Sequence, residues 1–379
     1  MNFHKKKPGF VLIMSFVILA LIVLLTEQLL RSVYVGSSFI KAMNEREYAE
    51  IAALSGINIA IAQLSEHDYA AKSDPAEQAK GSSEKKETAA QLFIKNILPK
   101  LNRWQFFKLD QKNDGVDLEV QICLSCEDGK ININDVFDFE TQAMREDIST
   151  LLKGLQIKDK VPAGAFYEKI KDFFTQRKKK IHDISELCTI PEFETLDLSY
   201  KPPQAPEKKT AKHEANADIA LRDFFTVWSS GSLDAMMLSD SVSAVFELRR
   251  PLANDAETMK DKFKQIAAGF DPKMYADVDE LWQLLEPLYQ HKPRLSAELK
   301  GLFSKQFGPA VYSVLSYGRV GNVEQRLLAI VKKVPGSGSS SNDQGKPDPN
   351  VDTGVQKNKT DKNDEQKRPV FRVVRLYWL

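Results

Sequence analysis

The apolar and polar positions change texture along the chain. Residues 10–25 carry no charge, and Ser15 is their only polar side chain. A bilayer core asks for roughly 20 apolar residues, and Leu29, Leu30 and Val33 extend the run towards that length. Only a helix satisfies its own backbone groups in lipid, so the run predicts a helix wherever it meets a membrane. Further on, Leu54, Ile57, Ile61 and Leu64 fall at i, i+3, i+7 and i+10, one face of a helix. Glu45, Arg46, Glu47 and Glu50 form a charged collar just before that face. Gly36 and Gly56 mark places for a bend or a close approach. A pattern running over 10–64 is too long for an ordinary globular helix. It predicts one half that packs in a membrane and another that packs on a domain.

Residues 67–87 are polar, broken by Pro75 and Gly81, and read as a loop. Leu92, Phe93, Ile97 and Leu98 have helical spacing, and Pro99 ends that helix. Asn113-Asp114-Gly115 is a turn, after which Val116, Leu118, Val120 and Ile122 alternate as a strand. Glu127-Asp128-Gly129 reads as a second turn leading to Lys130-Ile131-Asn132-Ile133-Asn134, so the pattern predicts a β-hairpin. From 135 to about 304 the periodicity is helical, with clusters at Ile148, Leu151, Leu152 and Leu155 and at Phe166, Ile170, Phe173 and Phe174. Ser185-Glu186-Leu187 after Asp183 reads as a helix start, and further helices are expected at 240–248, 256–269, 278–290 and 295–303. Residues 202–214 form a Pro- and Lys-containing loop.

Strand patterning returns at 311–320 and 323–334 around Gly321-Asn322, a two-residue hairpin turn. Val323, Gln325, Leu327, Ala329 and Val331 share one face there. Residues 335–369 hold almost no large apolar side chain, too little buried surface to offset their ordering entropy, and are expected to be disordered. Residues 370–379 close the chain as a strand that pairs with the preceding hairpin. The fold class is therefore α+β. An antiparallel sheet from 116–134 and 311–379 packs on the helix near 54–64, and an all-α block is inserted between its two parts.

Charge removes one class of partner. Lysine and arginine number 53 against 52 acidic residues, a formal net charge of +1, so no electrostatic footprint for nucleic acid is present. Cys123 and Cys126 form a single C-x-x-C without a second pair or a nearby histidine, which argues against zinc; a disulfide in an oxidising compartment requires geometry a strand seldom gives. His4, His67, His182, His213 and His291 are scattered, and no G-x-S-x-G, P-loop or H-E-x-x-H motif appears, so no enzyme is expected.

The start of the chain carries its own signal. Lys5, Lys6 and Lys7 stand before Pro8, Gly9 and Phe10, and this basic cluster predicts a cytoplasmic N-terminus with the bulk on the other side. A cleavable secretory signal would need small residues after the apolar run, where Thr26-Glu27-Gln28-Leu29 stands instead. A plain signal anchor is a second reading. The third is a type IV prepilin-like leader, cut between Gly9 and Phe10, with Lys5, Lys6, Lys7 and Pro8 in its recognised part. Pilins usually carry a glutamate at the fifth position after the cut, paired with a neighbour's N-terminal amine; Met14 occupies it here. An unpaired carboxylate at that depth is costly, and a subunit with nothing above it needs none.

With these residues in hand, the sequence resembles the GspK family, the large minor pseudopilin of the type II (general) secretion system. The resemblance rests on the leader and helix, on Met14 where the family also lacks the glutamate, and on Glu127-Asp128-Gly129-Lys130-Ile131-Asn132-Ile133-Asn134. It rests too on Asp183-Ile184-Ser185-Glu186-Leu187 with Ile190-Pro191, and on the closing hairpin and strand. It implies a type IV pilin-like fold: leader 1–9, helix 10–65, core 88–136 plus 308–379 with a disordered loop at 335–369, and inserted helical domain 137–305. It implies a single-pass inner-membrane protein of a Gram-negative bacterium with a periplasmic bulk, capping the pseudopilus tip and helping to start its assembly and the export of folded exoproteins. The implied partners are other minor pseudopilins, the prepilin peptidase and exoprotein substrates, with N-methylation at Phe10.

Calcium sites occur in some members. Asp110, Asp114, Glu127 and Asp128 are the oxygen donors nearest in kind, but no D-x-D-x-D-G spacing accompanies them, and carboxylates in turns are more often solvated surface. The family's asparagine-rich segment corresponds here to Gly231-Ser232-Leu233-Asp234-Ala235. Two alternatives remain: a minor pilin of a type IV pilus or DNA-uptake machine, and a membrane-anchored periplasmic binding module.

Overall fold

The computed structural model describes residues 8–66, 88–154, 164–193, 220–246, 248, 256–289, 295–334 and 370–379. Lys5, Lys6, Lys7, the loops expected at 67–87 and 202–214 and the segment 335–369 lie outside the described residues.

Helix α1 (Pro8–Glu66) is one uninterrupted rod of 59 residues, about 90 Å long at 1.5 Å per residue. From Leu12 to Met43 its apolar side chains are exposed on every side. Among the described residues it is the one helix long and apolar enough to cross a membrane. The collar is solvated as expected, with Lys41–Glu45 and Arg46–Glu50 paired one turn apart. Beyond it the buried face is Ala49, Ala52, Ala53, Gly56, Ile57, Ala60 and Leu64. Of the expected face, Ile57 and Leu64 are buried, whereas Leu54 is 40% exposed and Ile61 only half-buried. Small side chains make up most of that face because around Gly56 and Gly318 helix and strand meet at close to backbone distance. A Cβ on Gly318 would lie 2.1 Å from the Ala49 carbonyl oxygen, and one on Gly56 would lie 2.1 Å from Ser316 Oγ.

Helix α2 (Ala89–Asn96) opens on a Thr88–Gln91 capping box, and Pro99 falls in the short 3₁₀ turn that follows it. Strand β1 (Trp104–Leu109), short helix α3 (Gln111–Asp114) and strand β2 (Leu118–Cys126) come next. β1 carries no alternation that would announce it. It is an edge strand with both faces largely open, and Phe106 is exposed. Gly115, at φ 75°, closes α3 in the left-handed region and turns the chain into β2.

The hairpin expected over 116–134 does not form. β2 pairs antiparallel with β1 on one side, and residues 127–129 make a 3₁₀ turn that carries the chain off the sheet. Short strand β3 (Ile131–Asn132) then belongs to the insertion. The insertion continues through β4 (Phe137–Asp138), β5 (Ala143–Met144), α4 (Glu146–Gly154), α5 (Ala165–Arg177), α6 (Leu221–Phe224) and β6 (Phe225–Thr226). Helices α7 (Asp240–Val245), α8 (Ala256–Gly269), α9 (Val278–Leu285) and α10 (Ala297–Lys300) complete it. It is mainly helical, with two pairs of two-residue strands, β3 beside β6 and β4 beside β5. Asp183 caps the 3₁₀ turn at 184–189 with a capping box, at the place where a helix start was expected.

The chain re-enters the sheet in β7 (Val311–Val320), turns at Gly321 (φ 57°), and runs back as β8 (Val323–Val334) and β9 (Val370–Trp378). The antiparallel sheet has the order β1-β2-β7-β8-β9. α1 lies over β7, with β8 and β2 on either side, and buries Leu327, Ala329 and Val331 beneath it. The other face of the sheet looks towards the insertion. A cleft of about 70 Å³ there is walled by Cys123, Leu315, Leu328, Trp228 and Tyr377.

Candidate functional site

The sequence-predicted positions fall in three separate places. Gly9 and Phe10 lie in the first turns of α1, and Met14 stands exposed on its apolar rod. Asp110 and Asp114 sit at the turn between β1 and β2. Asp110 Oδ1 accepts from the Lys112 and Asn113 amides, each at 2.9 Å, and Asp114 Oδ2 accepts from the Asp110 amide at 2.9 Å. These bonds hold the Asp110 carboxyl below its usual range, the Asn113 amide foremost. They cap a helix, the ordinary use of aspartate at that position. Glu127 and Asp128 are at the opposite end of β2, about 26 Å away at 3.3 Å per residue. The four carboxylates therefore do not converge. Among the described residues no group of three or more His, Cys, Asp and Glu stands together as metal ligands would.

Glu127 and Asp128 are instead buried at the point where the insertion leaves and rejoins the sheet. Glu127 Oε1 meets Lys130 Nζ at 2.5 Å, and Glu127 Oε2 accepts from Thr226 Oγ1 at 2.5 Å. Lys130 Nζ also reaches Ser313 Oγ on β7 at 3.5 Å. Asp128 Oδ2 accepts from the Ala310 and Val311 amides at 2.8 and 3.1 Å, and Oδ1 from the Ser230 amide at 3.4 Å. One carboxylate thus ties the exit turn to the return strand and to the loop before Asp234. The backbone adds the Asp234 amide on the Asp128 carbonyl at 2.8 Å and the Ser239 amide on the Gly129 carbonyl at 3.1 Å. A Cβ on Gly129 would fall 1.8 Å from the Met237 carbonyl oxygen, so the turn tolerates nothing larger than glycine.

Asp234, missed as a feature by sequence reasoning beyond its place in a loop, completes this joint. Its Oδ1 accepts from Tyr275 Oη at 2.7 Å and from the Met236 amide at 3.0 Å. Burial pushes its carboxyl up to about 7, and the nearby Asp128 adds to the rise. Burial also raises Asp128, although three backbone amides work against it, and carries the Tyr275 hydroxyl well above its usual range. No sequence signal short of the fold marks Asp234 as buried. The chemistry of this joint is bracing: each oxygen of Glu127 and Asp128 already holds a protein donor.

The C-x-x-C pair is split. Residues three apart in a strand point to opposite faces, so Cys126 joins the core under α1 while Cys123 lines the cleft with Leu315 and clusters with Tyr317 beside it. Among the described residues no disulfide joins the three cysteines, and burial pushes the Cys126 thiol well up.

Across the cleft, Tyr377 Oη on β9 donates to Asp183 Oδ2 at 2.6 Å, tying the last strand to the insertion. Burial and this bond push the Tyr377 hydroxyl up to about 12. Burial opposes ionisation of Asp183, but the bonds from Tyr377 and Ser185 outweigh it and lower its carboxyl.

No family model matches the chain, and no curated protein matches it. Among solved structures it is similar to a chain in the crystal structure of the GspK-GspI-GspJ complex from the enterotoxigenic Escherichia coli type 2 secretion system. The two are 14% identical with a TM-score of 0.41, and the match covers 78% of this chain and 94% of that one.

Proposed function

We propose that this chain is a minor pseudopilin of a type II secretion system, anchored once in the inner membrane and capping the periplasmic tip of the pseudopilus. The observation that carries this reading is α1, whose first part is an exposed apolar rod and whose second part is the covering layer of a sheet. Such a helix makes anchor and domain one rigid body, the form an extruded helical stack requires. The residues at 5–10 and the likeness of 127–134 and 183–191 to the GspK family support the same reading. Met14 supports the tip position, since it offers no carboxylate to the amine of a subunit one step further out. Its partners are then other minor pseudopilins, packed by close contact along α1 rather than by the hydrophobic effect.

The test is the mass and N-terminal sequence of the protein from membranes that contain a prepilin peptidase. A start at Phe10, N-methylated, is expected, and Gly9→Val leaves the precursor uncut. A start at Met1 or beyond Leu25 refutes the class. Many copies along sheared filaments would refute the tip position and leave the class standing.

A further inference from the structure

The outer edge of β9 combines an open strand edge with two faces of contrasting chemistry. β9 pairs with β8 alone among the described strands, and among the described residues its other edge presents unpaired backbone groups. A β-bulge at Val374 shifts the register between Ile330 and Val331. Arg372 and Arg375 would otherwise point oppositely; the bulge puts both on the cleft side, opposite Lys332 and Ile330. Arg375 confirms that side by lying 5.5 Å over the Tyr377 ring. Lys332, Arg372 and Arg375 are all exposed, giving one face of the edge three cations. The other face, opposite Leu327, Ala329 and Val331, carries Val373, Leu376 and Trp378, each exposed between 41% and 50%.

We propose that this edge binds an extended segment of a partner polypeptide in which acidic and apolar residues alternate. Added as a further strand, such a segment places its carboxylates beside Arg372 and Arg375 and its apolar side chains beside Leu376 and Trp378. The arginines select as well as attract: a neutral or cationic strand laid there would leave them desolvated or repelled. A second copy of β9 is disfavoured on the same ground, because it brings the like-charged arginines of two strands together or sets them against apolar side chains. The inference rests on the strand alone and stands or falls separately from the pseudopilin reading.

The experiment uses the full chain in detergent micelles and a fluorescein-labelled eight-residue peptide of alternating Glu and Val. Fluorescence anisotropy should show saturable binding that weakens at least tenfold between 50 and 300 mM salt. The Lys-Val counterpart, and the Glu-Val peptide N-methylated at alternate amides on the pairing edge, should each bind at least tenfold more weakly. Arg372→Glu with Arg375→Glu should abolish binding of the Glu-Val peptide and admit the Lys-Val one. Equal binding of the two unmodified peptides, or binding indifferent to N-methylation in both registers, overturns the proposal without any variant having to fold. Concentration-dependent dimerisation that the peptide does not relieve overturns it in favour of a second copy.

Discussion

At the residue scale, side chains that are absent or protonated set the tolerances of this fold. Gly318 has the Ala49 carbonyl and the Ala53 amide where a Cβ would go, both backbone atoms that cannot rotate aside. Gly318→Ala must lift α1 off β7 and is expected to cost about 1–3 kcal/mol. Gly36→Ala, with nothing within 4 Å, should be neutral or stabilising by up to about 1 kcal/mol. Thermal melts of the two variants check the contrast. Asp234 makes the second residue-scale prediction. Its folded carboxyl titrates near 7 against about 3.9 when unfolded, so between those values the folded state holds a proton the unfolded state does not. Its contribution to stability is complete at acid pH and is lost as pH rises through 7. Asp234→Asn keeps an acceptor for Tyr275 and removes the titration. The stability of wild type minus variant should therefore fall by a few kcal/mol, at most about 4, between pH 4.5 and 8. Denaturant melts at both pH values measure it, and a flat difference would refute the buried-proton assignment. Neither site was legible in the sequence: Gly318 is one glycine in a strand and Asp234 one acid in a loop, and only the packing gives them meaning.

At the scale of elements, legibility followed how much of each element is decided locally. Gly321-Asn322 between two alternating runs announces β7 and β8 because turn chemistry and periodicity agree. The helix start after Asp183 was readable for the same reason. The misread hairpin shows the opposite case. Glu127-Asp128-Gly129 has the composition of an exposed turn, yet both carboxylates are buried, and their partners at 226, 230, 310 and 311 are invisible to any local window. β1 escaped notice because an edge strand with two open faces needs no alternation. The face of α1 was half read: Ile57 and Leu64 are buried as expected, but the alanines and Gly56 that complete the face carry too little apolar surface to stand out in a sequence. The turn at 127–130 yields the prediction at this scale. Glu127 and Lys130 side chains are each 5% exposed, so Lys130→Met strands a buried carboxylate and should cost about 3–5 kcal/mol. Adding Glu127→Gln should recover part of that loss. A double-mutant cycle by chemical denaturation reads the coupling, and simple additivity would count against it.

At the scale of the whole molecule, the second part of α1, the sheet and the insertion share one hydrophobic core, which runs from Ala52 under the sheet to Phe303 in the insertion. The division into sheet and insertion was readable from the change of period, whereas the route between them was not. The register also bears on the segment 335–369. Val334 and Val370 stand opposite each other, so the ends of that segment already meet. Replacing it with a four-residue turn should raise stability by about 1–2 kcal/mol through loop-closure entropy alone. A loss of more than about 1 kcal/mol in a denaturant melt would mean that the segment makes contacts of its own.

The pairing of β2 with β7 has a consequence in time. Ile122 meets Ser316 across the middle of the sheet, 194 positions later in the chain. At about 5–20 residues per second of synthesis, that is roughly 10–40 s between the two partners. Throughout that interval α1 and β2 can cover each other only in part, because β7 and β8, which cover most of the alanine face, are still missing. Such non-local closure makes for slow folding. The nascent protein is therefore most exposed to proteases and to misassociation before its last quarter emerges, and a holding factor would find its clearest target in the first 126 residues.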